Sequence, residues 1–129
     1  SNLQTIEEYA FSLSSIEKIC IPHSVTKICE NAISKCKKLR RVEIPTNSKL
    51  QTIEKDAFLC TNIEEIFIPQ SVTEICESAF SFCYELQIVE ISEESQLQSI
   101  SILSFDNGSD NMIIMIPSSL KESIKIIGY

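Results

Sequence analysis

The segment Leu3-Gln4-Thr5-Ile6-Glu7 returns as Leu50-Gln51-Thr52-Ile53-Glu54 and, in shortened form, as Leu97-Gln98-Ser99-Ile100, about 47 residues later each time. Self-similarity at a fixed period means stacked units rather than one irregular core. A second copy lies inside each long unit, because Ser24-Val25-Thr26-Lys27-Ile28-Cys29-Glu30 matches Ser71-Val72-Thr73-Glu74-Ile75-Cys76-Glu77. The true unit is thus a coil of about 22 to 25 residues. Aligned, the coils are Leu3–Ser24, Val25–Lys49, Leu50–Ser71, Val72–Gln96 and Leu97–Ser119.

Each coil opens with two aliphatic residues three apart and continues with a small-plus-apolar pair: Ala10-Phe11, Ala32-Ile33, Ala57-Phe58, Ala79-Phe80 and Ser104-Phe105. A spaced aliphatic triplet closes it: Ile16/Ile19/Ile21, Leu39/Val42/Ile44, Ile63/Ile66/Ile68, Leu86/Val89/Ile91 and, in the fifth coil, Ile114/Ile116. The last two triplet positions alternate with polar residues, the period of a strand with one buried face. Pro22, Pro45, Pro69 and Pro117 follow four of these strands and stop them, since proline cannot donate to a ladder. The segment around each Ala-Phe pair is too short for a long helix and reads as one or two helical or 3₁₀ turns. No coil carries enough apolar residues to hide alone, so burial requires stacking into columns. Phe80 is expected to be buried in such a column beside Phe58 and Phe105.

Composition agrees with a packed stack. Hydrophobic residues are 43% of the 129, enough for a continuous core. The formal charge of -7 opposes phosphate backbones and anionic membranes, which argues against a nucleic-acid partner. The longest apolar run, Met112 to Ile116, is far below the roughly 20 residues that span a bilayer. No membrane insertion is expected of this segment.

The residues Ile21-Pro22-His23-Ser24-Val25 through Ala32, Cys36 and Leu39, and Ile68-Pro69-Gln70-Ser71-Val72 through Ala79-Phe80, Cys83 and Leu86, resemble the BspA-type leucine-rich repeat, a family of surface proteins of bacteria and parasitic protists. The resemblance runs from Leu3 to about Ser119. It implies a β-rich α/β fold: a right-handed solenoid of about five coils with a parallel sheet on the concave face and short helical turns opposite. It also implies adhesion or host-protein binding at a cell surface, with localisation there or in secreted form, and supplies no catalytic residue. One position departs from the family pattern. A glycine follows the second aliphatic residue in the family, whereas Cys29, Cys76, Glu7, Glu54 or Ser101 stands there in this chain. A turn that truly required glycine would not tolerate these, so ordinary right-handed backbone is expected.

The six cysteines fall into register with the coils. Cys36 and Cys83 share one column and Cys29 and Cys76 another, with partners two coils apart. At a coil spacing of about 4.8 Å those partners are roughly 10 Å apart, beyond the ~7 Å that a disulfide allows. Cys60 is one register position off the Cys36 and Cys83 column and could reach either. Mostly reduced, buried thiols are expected. No Cys-x-x-Cys spacing exists and His23 is the only histidine, so neither a metal site nor a nucleophile-histidine-acid set is expected. The adjacent pairs Glu64-Glu65 and Glu93-Glu94 read as solvated charge. With only Gly108 and Gly128, a glycine-rich phosphate loop is ruled out. The chain is therefore read as non-enzymatic and without a cofactor.

The outward strand positions carry the functional expectation. They are Lys18 and Cys20, Arg41 and Glu43, Glu65 and Phe67, Ile88 and Glu90, and Ile113 and Met115. Apolar side chains where water favours polar ones mark contact surfaces. Arg41, Glu43, Glu65, Phe67, Ile88 and Glu90 are the candidate binding residues, with a protein ligand such as a host matrix or cell-surface protein. A capping segment over the last coils, or a misregistered fifth coil, would also place apolar residues there. A structural spacer carrying another domain is the alternative function, and it predicts a polar outward face instead. Asn107-Gly108-Ser109 is both a tight-turn signal and a candidate glycosylation sequon. Residues 1–129 read as one domain, with repeats over 3–119 and a C-terminal cap over 120–129, within a longer array.

Overall fold

A computed structural model describes residues 3–109, 111–117 and 125–127. The coils stack as the repeat requires, but each contributes two strands rather than one. One parallel sheet, A, takes the short strands β1 (Thr5–Ile6), β3 (Lys27–Ile28), β5 (Thr52–Ile53), β7 (Glu74–Ile75), β9 (Ser99–Ser101) and β11 (Lys125–Ile127), in that spatial order. A second parallel sheet, B, takes β2 (Lys18–Cys20), β4 (Arg41–Glu43), β6 (Glu65–Ile68), β8 (Ile88–Ile91) and β10 (Ile113–Met115). Adjacent strands within a sheet belong to successive coils, so every ladder bond is a bond between coils. Sheet B is the one expected from the closing triplets. Sheet A grows from the opening Thr-Ile pairs, whose strands are mostly two residues long and too short to show a period.

The core runs as columns along the stack. Ile6, Ile28, Ile53, Ile75 and Ile100 form one, contributed by sheet A, and Val42, Ile66 and Val89 one contributed by sheet B. Leu39, Ile63 and Leu86 form a third at the corner before sheet B. The register is direct: Ile28 pairs with Ile53, Ile53 with Ile75, and Ile66 with Val89. At roughly 1.5–3 kcal/mol for each fully buried aliphatic side chain, these columns are the main cohesive term. In the first coil Phe11 is 39% exposed and Leu13 75%, whereas Phe58 and Phe80 in later coils are fully buried.

The segment around each Ala-Phe pair is not helical as expected, apart from one short 3₁₀ turn over Ile102–Phe105 in the fifth coil. No α-helix occurs among the described residues, so the α/β expectation is corrected to an all-β solenoid. In place of helix there are successive tight turns, such as Ala32 N to Cys29 O at 3.1 Å and Ser34 N to Asn31 O at 3.3 Å. Two columns of left-handed residues punctuate them. Tyr9, Asn31, Asp56 and Ser78 form one, and Leu13, Lys35, Cys60, Phe82 and Asn107 the other, all with φ between 56° and 64°. The physical reason is hydrogen bonding between coils. Left-handed residues let alternate N–H groups point along the stack, as from Asn31, Ile33 and Lys35 to the carbonyls of Lys55, Ala57 and Leu59 at 3.2, 2.9 and 2.6 Å. A helix would turn those N–H groups onto its own backbone.

The position where the family has glycine needs no such conformation. Glu7, Cys29, Glu54, Cys76 and Ser101 all lie outside the left-handed region, as expected. The strain falls two and six residues further on. The proline corners also serve the stack: Val25 N donates to Pro22 O, Ser48 N to Pro45 O and Val72 N to Pro69 O, while Ser92 takes the same place for Ser95 N. Side-chain hydroxyls tie neighbouring coils, with Thr26 Oγ1 donating to Gln4 O and Thr73 Oγ1 to Gln51 O. Of the expected C-terminal cap over 120–129, only 125–127 lies within the described residues, and its backbone pairs with β9.

Candidate functional site

Sheet B presents its outward side chains in rows set by the strand register. One row runs Lys18, Arg41, Glu65, Ile88, Ile113, each paired with the next. Its character passes from cationic through anionic to apolar. Beside it Cys20 pairs with Glu43, and Phe67 pairs with Glu90, which pairs with Met115. The register thus brings together the residues singled out in the sequence. Arg41, Glu43, Glu65 and Glu90 are exposed, Ile88 is 36% exposed, and Phe67 is half-buried. Ile113 and Met115 are 61% and 51% exposed, so the apolar character continues to the last strand of the sheet.

The sheet loosens between β4 and β6, which share the single pairing of Arg41 with Glu65. A groove of about 460 Å³ opens there, lined by Arg40, Arg41, Glu43, Glu64, Glu65 and Ile88 among others. A smaller recess of about 140 Å³ adjoins it, with Val42, Glu65, Phe67, Ile88 and Glu90 in its walls. A third hollow of about 340 Å³ lies at the corner before β4, between Glu17, Lys37, Lys38, Arg40 and Asn62. Arg40 lines both the corner hollow and the main groove.

At the other end of the sheet, Lys18 Nζ sits 3.1 Å from Glu43 Oε1, with both side chains about half exposed. The Cys20 thiol donates to Glu43 Oε2 at 3.4 Å. The Lys18 ammonium, then the thiol, holds the Glu43 carboxyl below its ordinary value. This pair is solvated and contributes little to stability.

Five of the six thiols belong to the structure rather than to the surface. All six are free, and only Cys20 is exposed. Cys36 Sγ donates to Phe11 O at 2.9 Å and Cys83 Sγ to Phe58 O at 3.2 Å, so both satisfy a carbonyl of the preceding coil. Thr61 occupies the same column between them, its hydroxyl 3.1 Å from Phe58 O and 3.4 Å from Cys83 Sγ. Cys60 falls instead in the second left-handed column. Burial pushes the thiols of Cys29, Cys36 and Cys83 up, and burial with the Glu74 and Glu54 carboxylates pushes Cys76 up to about 11. Such thiols are poor nucleophiles at neutral pH. His23 is exposed at its corner, and Asn107 is an exposed left-handed turn residue.

Two surface features lie outside the expectations drawn from the sequence. The run Lys35 to Arg41 holds five of the chain's 11 cations within seven residues, a signal visible in the sequence itself. Phe82 and Tyr84 form an exposed edge-to-face pair with ring centres 6.1 Å apart. That pair is not legible in the sequence, because the left-handed backbone at Phe82 turns the ring outward beside buried Ser81 and Cys83.

Among solved structures, the chain is similar to the pneumococcal vaccine antigen PcpA, with a TM-score of 0.75 and 31% identity over 82% of this chain and 28% of that one. It is also similar in fold to a leucine-rich-repeat protein of T. pallidum, with a TM-score of 0.68 and 23% identity over 90% of this chain and 64% of that one. A leucine-rich cell-surface protein of Faecalibacterium prausnitzii gives a TM-score of 0.60 at 17% identity, over 98% of this chain and 51% of that one. The chain therefore spans between about a quarter and two thirds of the length of these proteins. Comparison with curated protein sequences finds no match. The model of the BspA-type leucine-rich-repeat region matches residues 2–126 in six copies. The chain belongs to the BspA-type leucine-rich-repeat family.

Proposed function

We propose that this chain is a non-enzymatic protein-binding module of a cell-surface or secreted protein, and that sheet B is its concave ligand face. The observation that carries the reading is the exposure of Ile88, Ile113 and Met115 along one paired row and its neighbour, beside half-buried Phe67 and the carboxylates of Glu65 and Glu90. An apolar strip bordered by charge is the usual anatomy of a protein interface. A spacer would be expected to offer water a uniformly polar face. The likeness to a pneumococcal vaccine antigen and to a leucine-rich cell-surface protein supports a surface setting. In that setting Asn107 would be a glycan acceptor at the turn before β10.

The test is binding to a panel of purified host extracellular-matrix and cell-surface proteins. The parent chain is compared with the double variant Phe67→Ser with Ile88→Ser, and with Lys35→Ser on the turn side as control. Retained folding is checked first by circular dichroism. Loss of a buried aromatic anchor should cost roughly 2 kcal/mol or more of binding. A double variant that binds as tightly as the parent would show that sheet B is not the ligand face.

A further inference from the structure

The corner hollow and the grooves of sheet B form one continuous surface. Lys37, Lys38 and Arg40 stand at one end, Arg40 and Arg41 at its middle, and Phe67 and Ile88 at the other end. The cations project from a fixed loop. Leu39 between them is fully buried, Asn62 Nδ2 donates to Lys37 O at 2.6 Å, and Arg40 N donates to Glu17 O at 3.0 Å. All four basic side chains are exposed. Among the described residues none of them has a carboxylate within ion-pair distance, the Lys18–Glu43 pair being the one such bridge. A chain of net charge -7 therefore holds a corner where three exposed cations face the one carboxylate of Glu17, next to an apolar strip.

Resting on the reading of sheet B as a protein-binding face, we infer that the partner segment is an extended acidic peptide. Its carboxylates seat on Lys37, Lys38 and Arg40, and an apolar side chain a few residues away packs on Phe67 and Ile88. Charge complementarity gives the acidic end, since fixed exposed cations attract and orient an anionic segment. The spacing follows from the coils. Strands β4 and β8 are two strand spacings apart, about 10 Å, which an extended peptide covers in roughly three residues. A sulfated polysaccharide fits less well. It needs cations in unbroken succession, whereas Glu43, Glu64 and Glu65 interrupt the surface beyond Arg41, and it has no apolar side chain for Phe67.

Phage-displayed random peptides selected on the parent chain test this, with clones then measured on three variants and beside a heparin fragment. The variants are Lys37→Glu with Lys38→Glu and Arg40→Glu, the milder Lys37→Gln with Lys38→Gln and Arg40→Gln, and Phe67→Ser with Ile88→Ser. Lys55→Glu, away from the corner, is the control. The inference expects enriched sequences that pair Asp or Glu with an apolar residue two to four positions away. It expects the reversal variant to weaken them by about tenfold or more, increasingly so at low salt, and the control to leave them unchanged. If the reversal variant fails to fold, the glutamine variant carries the test. Peptides that depend on Phe67 and Ile88 but are neutral or basic would overturn the acidic partner while leaving sheet B as the binding face. Peptides indifferent to both sets of substitutions would overturn both. No enrichment, or heparin binding that depends on the three cations while peptide binding does not, would also overturn it.

Discussion

The rings of Phe58 and Phe80 lie 5.2 Å apart, centre to centre, and within 2° of parallel. Phe105 continues the stack at 5.4 Å from Phe80. Phe58 and Phe80 are fully buried, and Phe80 is the middle ring with an aromatic neighbour on each side. Phe80→Ala should destabilise the chain by roughly 3–5 kcal/mol, because the cavity cannot collapse against two rigid coils. Chemical denaturation measures this. A loss under about 1 kcal/mol would contradict a close-packed column.

Lys35 is exposed and held at φ 59°. A non-glycine residue there costs of order 1 kcal/mol, and glycine removes that cost at some loss of entropy. Lys35→Gly should therefore be neutral or stabilising by up to about 1 kcal/mol, whereas Glu30→Gly, outside the left-handed region, should destabilise by about 0.5–1 kcal/mol. Thermal melts of the two variants decide it. Equal destabilisation would show that the left-handed columns are not under strain.

Thiol reactivity should separate into two classes. Exposed Cys20 should alkylate quickly in the native protein, while Cys29, Cys36, Cys76 and Cys83 should wait for unfolding. Mass spectrometry of pulse-labelled protein gives the order. The pH dependence follows from the raised thiols. Cys76 is near 11 in the fold against 9.0 for an ordinary thiol, so between those values the unfolded chain loses the proton first. Stability should fall as pH rises through about 9 to 11 and be unaffected by this group below 9. Cys76→Ala should flatten that alkaline limb.

Asp56 has its carboxyl raised above the ordinary value, mainly by burial, with Glu30 and Glu77 adding to it and Lys55 opposing. The charged form is thus disfavoured in the fold. Asp56→Asn keeps a residue that tolerates left-handed backbone and removes the charge, so it should stabilise the chain at pH 7. The advantage should shrink as acid protonates Asp56 in the parent. Melting temperatures at pH 7 and pH 4 test the sign; an equal gain at both would assign the effect to something other than charge.

The stack is legible in the repeat alone. Ile28, Ile53 and Ile75 recur at coil spacing, and a chain that repeats an apolar position without filling a core alone must pair each copy with the next. The same logic places Phe58, Phe80 and Phe105 in one column and turns Arg41, Glu65 and Ile88 to one face. The turn segments read as helical or 3₁₀ in the sequence, and among the described residues only Ile102–Phe105 is so, because the conformation of the others depends on hydrogen bonds to the next coil. Lys35, Cys60 and Phe82 have no chemistry that favours left-handed backbone, and the carbonyls of the neighbouring coil make it worth adopting. Sheet A is illegible for a related reason: two residues carry no period, and a strand that short exists only when paired with a neighbouring coil. What the sequence determined by itself was therefore the stacking, the columns and the outward rows, which follow from burial at a fixed period. What the tertiary structure decided was the second sheet, the strained turns and the joining of the Lys37–Arg40 corner to the Phe67 and Ile88 groove, each of which arises from contacts between coils.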